Sequence, residues 1–226
     1  MDAIPSASLF LGVIPALLFL YISLKGYDGC YKEKNIFLSF IVGIIIGFIA
    51  AVVQSTTLNL VIIYMMLLAF FDQLFKTIIL NIGRLHEKSE TAIYGMSLGL
   101  GFGSSFTPYL IIATSSLITT NTNILISIAI GSLGVILFHG ATGAYIGYGI
   151  YTKKLIKHLL TAIILQLPFN FLLGMMINYS KIETLNLQIV FVISLILYGS
   201  ILFLYVTKKI MPQILIQKRR KRTKKN

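Results

Sequence analysis

Long apolar runs, broken by short polar stretches, fill this chain from residue 9 to residue 206. About 20 consecutive apolar residues are needed to cross a hydrocarbon core of ~30 Å. Seven runs meet or approach that length, at 9–24, 36–54, 58–82, 91–117, 124–151, 155–178 and 188–206. A segment that spans lipid must satisfy its backbone internally, and unbroken runs of this length do so as α-helices. The predicted fold is therefore all-α, a polytopic transmembrane bundle of about seven helices. The first run is the shortest, and Pro15 near its middle is compatible with a spanning helix.

The polar breaks alternate in charge. Lys25, Lys32 and Lys34 follow the first run, Arg84 and Lys88 the third, and Lys153, Lys154 and Lys157 the fifth. Lys208, Lys209 and the basic residues of 218–225 follow the seventh, whereas the opposite breaks hold a single basic residue, Lys181. By the positive-inside rule the amino terminus is expected outside and the carboxyl terminus in the cytoplasm, which agrees with seven crossings. The expected organisation is one bundle domain over 1–208 and a polybasic cytoplasmic tail over 209–226. The first run has no basic residues before it and no small-residue cleavage site after it, so it reads as a retained helix.

Composition agrees with this pattern. The 226 residues are 57% hydrophobic and only 12% charged, which excludes an ordinary soluble domain. The net charge of +12 would suggest nucleic acid on a soluble protein, but nearly half of the basic residues lie in the tail. That tail is suited to anionic lipid head groups, and it would equally serve to anchor the last helix. The expected location is multi-pass in the cell membrane of a prokaryote, with no nucleic acid as partner. The single cysteine, Cys30, rules out an intramolecular disulfide.

Against this background a few side chains stand out. Asp72 is the only acidic residue inside any apolar run, and Lys76 lies one helical turn from it. An ionisable group in hydrocarbon costs at least ~2.5 kcal/mol and commonly marks a functional site; a neutralised pair that pins two helices is the plainer alternative. Counting 1.5 Å per residue from the cytoplasmic edge puts Asp72 about 18 Å in, His139 about 21 Å and Asn170 about 20 Å, with Gln166 one turn lower. An Asp, a His, a Gln and an Asn from three helices thus reach a common depth, although His139 and the Gln166/Asn170 pair also suit interhelical hydrogen bonding. Gly95, Gly99 and Gly103 on the fourth run, and Gly140, Gly143 and Gly147 on the fifth, predict close helix packing near that level. The glycine-rich stretch 99–103 has no strand before it and is no nucleotide loop. His86 and His158 fall at cytoplasmic ends. A metal site is not expected: there is no His-Glu-x-x-His, and Asp72 with His139 lacks a third strong ligand. No cofactor is expected either.

Taken together, these positions resemble the PrsW-type intramembrane proteases, relatives of the CAAX prenyl proteases and of bacteriocin-processing membrane enzymes. The resemblance runs from about Pro15 to Gly174. Asp72-Gln73-Leu74-Phe75-Lys76 stands where the family has Glu-Glu-x-x-Lys, and Tyr94-Gly95 through Gly101-Phe102 matches its glycine-rich helix. His139 through Gly147-Tyr148-Gly149 matches a His followed by small residues and Gly-Tyr-Gly, and Gln166-Leu167-Pro168-Phe169-Asn170 stands at a His-x-x-x-Asn. The chain departs from the family at Asp72-Gln73, at Phe106 where a Glu is expected, and at Gln166. The resemblance implies an intramembrane peptidase without metal. In it Asp72 activates water, His139 and Asn170 polarise the scissile carbonyl, and Gln166 and Lys76 complete the site. Gln166 can donate a hydrogen bond but cannot shuttle a proton. Two alternatives stand beside hydrolysis: an inactive relative that binds transmembrane or membrane-proximal segments as scaffold or regulator, and a small transporter.

Overall fold

A computed structural model describes residues 3–57, 62–83, 85, 88–113, 122–181 and 185–214. The described residues form helices and connecting turns, with no strand among them. In chain order these are α1 (Ala3–Leu24), α2 (Glu33–Thr57), α3 (Ile62–Leu80), α4 (Thr91–Ser104), α5 (Phe106–Ala113), α6 (Thr122–Tyr151), α7 (Leu155–Lys181) and α8 (Leu185–Tyr205). A π-helical turn, Val206–Ile210, continues α8. Among the described residues, five helical stretches are long and apolar enough to cross a membrane: Glu33–Gln54, Ile63–Leu80, Ile124–Tyr151, Leu155–Ile177 and Leu187–Ile214. The apolar part of α1, Ser8–Leu24, is shorter. The fourth predicted span is broken into α4 and α5 as far as it is described. The polybasic stretch 218–225, Arg84 and His86 lie outside the described residues.

The break at Ser105 has a local cause. Pro108 has no N–H, so the Ser104 carbonyl loses its helical donor. The Ser104 and Ser105 hydroxyls donate back to the carbonyls of Gly101 (2.7 Å) and Phe102 (2.8 Å), which competes with regular helix. Gly12 of α1 passes directly against the Ser104 carbonyl; a Cβ there would lie 2.0 Å from the oxygen.

All fourteen residues of α4 are buried, which makes it the axis of the bundle. Lipid supplies no hydrophobic force between helices, so close approach of backbones must hold them together. One side of α4 meets α6 glycine to glycine. A Cβ on Gly95 would fall 2.2 Å from the Gly143 carbonyl oxygen, and one on Gly143 2.1 Å from that of Gly95. Another side meets α2, where Gly43 and Gly47 approach the Leu98 and Phe102 carbonyls and Gly101 approaches that of Phe40. The order of these contacts makes α2 parallel to α4 and α4 antiparallel to α6. Gly131 and Gly134 of α6 meet Val192 and Leu195 of α8, and Gly140 meets Phe203, so α6 and α8 run parallel. The outer faces carry exposed apolar side chains, Phe10, Phe37, Ile164 and Ile201 among them, as a lipid-facing surface does.

The tail was expected from residue 209. Helical structure instead continues to Ile214, with Val206, Ile210, Met211 and Ile214 buried against the core. These four apolar residues fall on one face of the continued helix, and the lysines between them face outward.

Candidate functional site

Helix α3 has an unusual inner face. Its buried stripe is Leu68, Ala69, Asp72, Gln73, Lys76, Thr77 and Leu80, while Phe70, Phe71, Phe75 and Ile78 are exposed. Four of the seven inward residues are polar, so this helix is attached to the bundle largely by hydrogen bonds.

Those bonds form one directed chain. The Lys76 Nζ lies 2.8 Å from His139 Nδ1 and donates to Thr142 Oγ1 at 3.1 Å and to Gln73 Oε1 at 3.4 Å. The Gln73 Nε2 donates to Gln166 Oε1. Gln166 Nε2 then donates to Asp72 Oδ2 at 2.5 Å. An ammonium has three N–H donors and no acceptor. Its three partners here account for all of them. With Lys76 charged, His139 Nδ1 must accept, which places the imidazole proton on Nε2 and leaves the ring neutral. Each amide in the chain accepts from the cationic side and donates toward the carboxylate. The two charges are thus joined through two aligned dipoles, and such chains polarise cooperatively.

Lys76 therefore does not pair directly with Asp72 as the one-turn spacing suggested. Its ammonium turns across to α6, and Gln166 of α7 takes the carboxylate. Every member is buried: Asp72, Gln73, Lys76, His139, Thr142 and Gln166 are each at most 3% exposed. Aromatic rings enclose them. The Lys76 ammonium sits 4.8 Å from the Phe102 ring centre, a cation–π contact. The His139 ring stacks on Phe106 at 5.6 Å and is flanked by Phe102, Phe138 and Phe169. Phe106 thus covers one face of the imidazole.

Backbone chemistry places these groups. Gly99 lets α4 approach so closely that its Cβ would lie 1.9 Å from the His139 carbonyl oxygen, which seats His139 over the Phe102 ring. Pro168 removes a backbone donor from α7 midway between Gln166 and Asn170. In that turn the Tyr198 hydroxyl of α8 donates to the Leu165 carbonyl at 2.8 Å.

Of the five expected site residues, Asp72, Lys76, His139 and Gln166 come together in this chain. Asn170 does not join it. Its amide donates to the Met65 carbonyl at 3.2 Å, clamping an earlier turn of α3. This follows from the antiparallel run of α3 and α7, in which a later residue of one meets an earlier residue of the other. Gln73 and Thr142 were not singled out as site residues from sequence. Thr142 lies three residues after His139, on the same helical face, and that spacing was the available signal. His158, expected at an interface, is buried beside Tyr145 and Tyr148, with ring centres at 4.5 and 5.7 Å. Among the described residues, no three His, Cys, Asp or Glu side chains gather as metal ligands would.

No protein-family profile, curated protein or solved structure matches the chain.

Proposed function

We propose that this protein holds transmembrane or membrane-proximal segments of other proteins without cutting them, on a scaffold that resembles the PrsW-type peptidases. The engagement of these buried polar groups in bonds between helices carries this reading. Hydrolysis needs a carboxylate free to activate water and a set of donors converging on one carbonyl oxygen. Here the Asp72 carboxylate is bonded by Gln166, the His139 Nδ1 faces Lys76, and Asn170 holds the Met65 backbone. Each group serves a neighbouring helix. Proton-coupled transport gains little support, because Gln73 and Gln166 stand between Asp72 and Lys76 and amides do not relay protons.

The surface offers a place for a client. An apolar cleft of about 410 Å³ opens beside the α4–α5 break, lined by Leu9, Val13, Ile44, Phe48, Pro108 and Ile112. A membrane-embedded segment would lie along it. Seven crossings, with the amino terminus outside and the carboxyl terminus cytoplasmic, complete the reading. They count α1 and the α4–α5 pair as spans, and the parallel and antiparallel contacts of α2, α4, α6 and α8 support them. The tail would then lie against an anionic inner leaflet, as expected for a prokaryotic cell membrane.

One observation favours the hydrolytic alternative: Asp72, Gln166 and His139 lie on one buried hydrogen-bonded chain, linked through Lys76 and Gln73. Full-length protein incubated with a panel of membrane peptides separates the two readings. The expected result is no cleavage above the Asp72→Ala level, with a photo-crosslinker at Phe48 capturing intact membrane segments. Peptide-bond cleavage by the wild type that Asp72→Ala abolishes would overturn the binding reading and install the peptidase.

A further inference from the structure

A second feature lies at the end of the bundle where α6 turns into α7 and α8 continues into its π-helical turn. Five lysines stand exposed there: Lys153, Lys154 and Lys157 from the first segment, Lys208 and Lys209 from the second. The two segments are tied together. The Tyr148 hydroxyl donates to Gln213 Oε1 at 2.5 Å, and Gln213 Nε2 donates to the Lys209 carbonyl at 2.9 Å. On the other side, His158 packs on Tyr145 and Tyr148, and its Nδ1 lies 2.8 Å from the Lys154 carbonyl.

Two backbone irregularities build this arrangement. Lys153 has φ 59°, the left-handed conformation that a helix ending of this type normally gives to glycine. The Lys154 N–H reaches back to the Gly149 carbonyl at 2.8 Å, as such an ending requires. A lysine thus occupies a position where glycine would be less strained. In the second segment, the Met211 N–H bonds the Val206 carbonyl, a wide turn that inserts one extra residue. The insertion rotates the residues beyond it by about 100° relative to regular helix. Gln213 then meets Tyr148, while Val206, Ile210 and Met211 stay buried and Lys208 and Lys209 stay outward. Wide turns of this kind often mark functional sites.

We propose that this folded lysine–tyrosine end binds the head group of an anionic phospholipid, independently of the polybasic tail. The spans bring it to the membrane surface, its charge complements a phosphodiester, and tyrosines suit that depth. A lysine close to an anionic leaflet contributes about fivefold to binding.

The test uses full-length protein in nanodiscs of equal phosphatidylglycerol and phosphatidylcholine. Lipid retained after extraction into detergent is read by native mass spectrometry. Changing Lys154, Lys157, Lys208 and Lys209 to Gln is expected to lower phosphatidylglycerol retention by about 600-fold at that contribution per residue. Changing every basic residue of 218–225 to Gln leaves the folded-site lysines in place and is expected to lower it less than the fourfold variant does. Lys153→Gly covers the case in which the fourfold variant fails to fold. Glycine suits the backbone there, so the variant should melt no lower than wild type yet retain about fivefold less phosphatidylglycerol. Three results would overturn the proposal: unchanged retention in the folded-site variants, a loss confined to the tail variant, or displacement of the lipid by millimolar inorganic phosphate.

Discussion

Replacing Lys76 by Met keeps the volume of the side chain and removes its charge. The change leaves the Asp72 carboxylate, 3% exposed, without its cation, and deprives His139, Thr142 and Gln73 of a donor. Breaking one side of a buried charge pair costs about 3–5 kcal/mol, because the remaining charge is left uncompensated. Asp72→Asn keeps an acceptor for Gln166 and leaves the ammonium unbalanced, at a similar cost. If the two positions were independent, the double variant would lose about 6–10 kcal/mol by the same figure. Because the directed chain joins them, the double variant is expected to lose no more than either single one, a coupling of about 3–5 kcal/mol. An interhelical hydrogen bond in a membrane averages only about 0.6 kcal/mol, so the coupling separates charge compensation from ordinary polar contact. Reversible unfolding of the full-length protein by SDS in mixed micelles, followed by circular dichroism, measures all four corners of the cycle. Repeating the cycle in a Gln166→Leu background should reduce the coupling by about half or more, since the Asp72 end of the chain is then cut. Losses that add to within about 0.5 kcal/mol would refute the joined network.

Further expectations rest on single positions. Gly99→Ala puts a Cβ 1.9 Å from the His139 carbonyl oxygen, so α4 and α6 must part by about 1.4 Å to reach ordinary C···O contact. The His139 ring would then lift from the Phe102 ring of α4, now 4.6 Å away, and SDS unfolding should show a loss of about 1–3 kcal/mol or more. Asn170→Leu removes only the clamp on Met65 and should cost about 0.6 kcal/mol in the same assay, with the Asp72–Lys76 coupling unchanged. Cys30, the single thiol of the chain, lies partly exposed between α1 and α2. A membrane-impermeant maleimide should label it in inverted vesicles and not in intact cells; the reverse pattern would invert the proposed orientation.

Much of the architecture is readable from sequence because apolar length is a one-dimensional signal. The runs at 36–54, 124–151 and 155–178 lie within α2, α6 and α7. The fourth run departs because the consequence of Pro108 is expressed through two serines and the passing Gly12, which belong to different segments. Depth along a helix is also one-dimensional, and the shared level of Asp72, His139 and Gln166 corresponds to real contacts. Rotation about each helix is not contained in that count. It decides that Lys76 reaches α6 instead of Asp72, that Gln73 completes the chain, and that Asn170 turns to Met65. The aromatic enclosure of His139 draws on Phe102, Phe106, Phe138 and Phe169 from four helices, a convergence no local pattern encodes.

The donation from the Lys76 ammonium to His139 Nδ1 is the bond on which the joined network rests, and nitrogen NMR of histidine-labelled protein reads it directly. With His139→Gln to assign the signal, the account predicts a neutral ring whose Nδ1 carries no proton and whose Nε2 does. A proton on His139 Nδ1 at neutral pH, in either a neutral ring or an imidazolium, would contradict it.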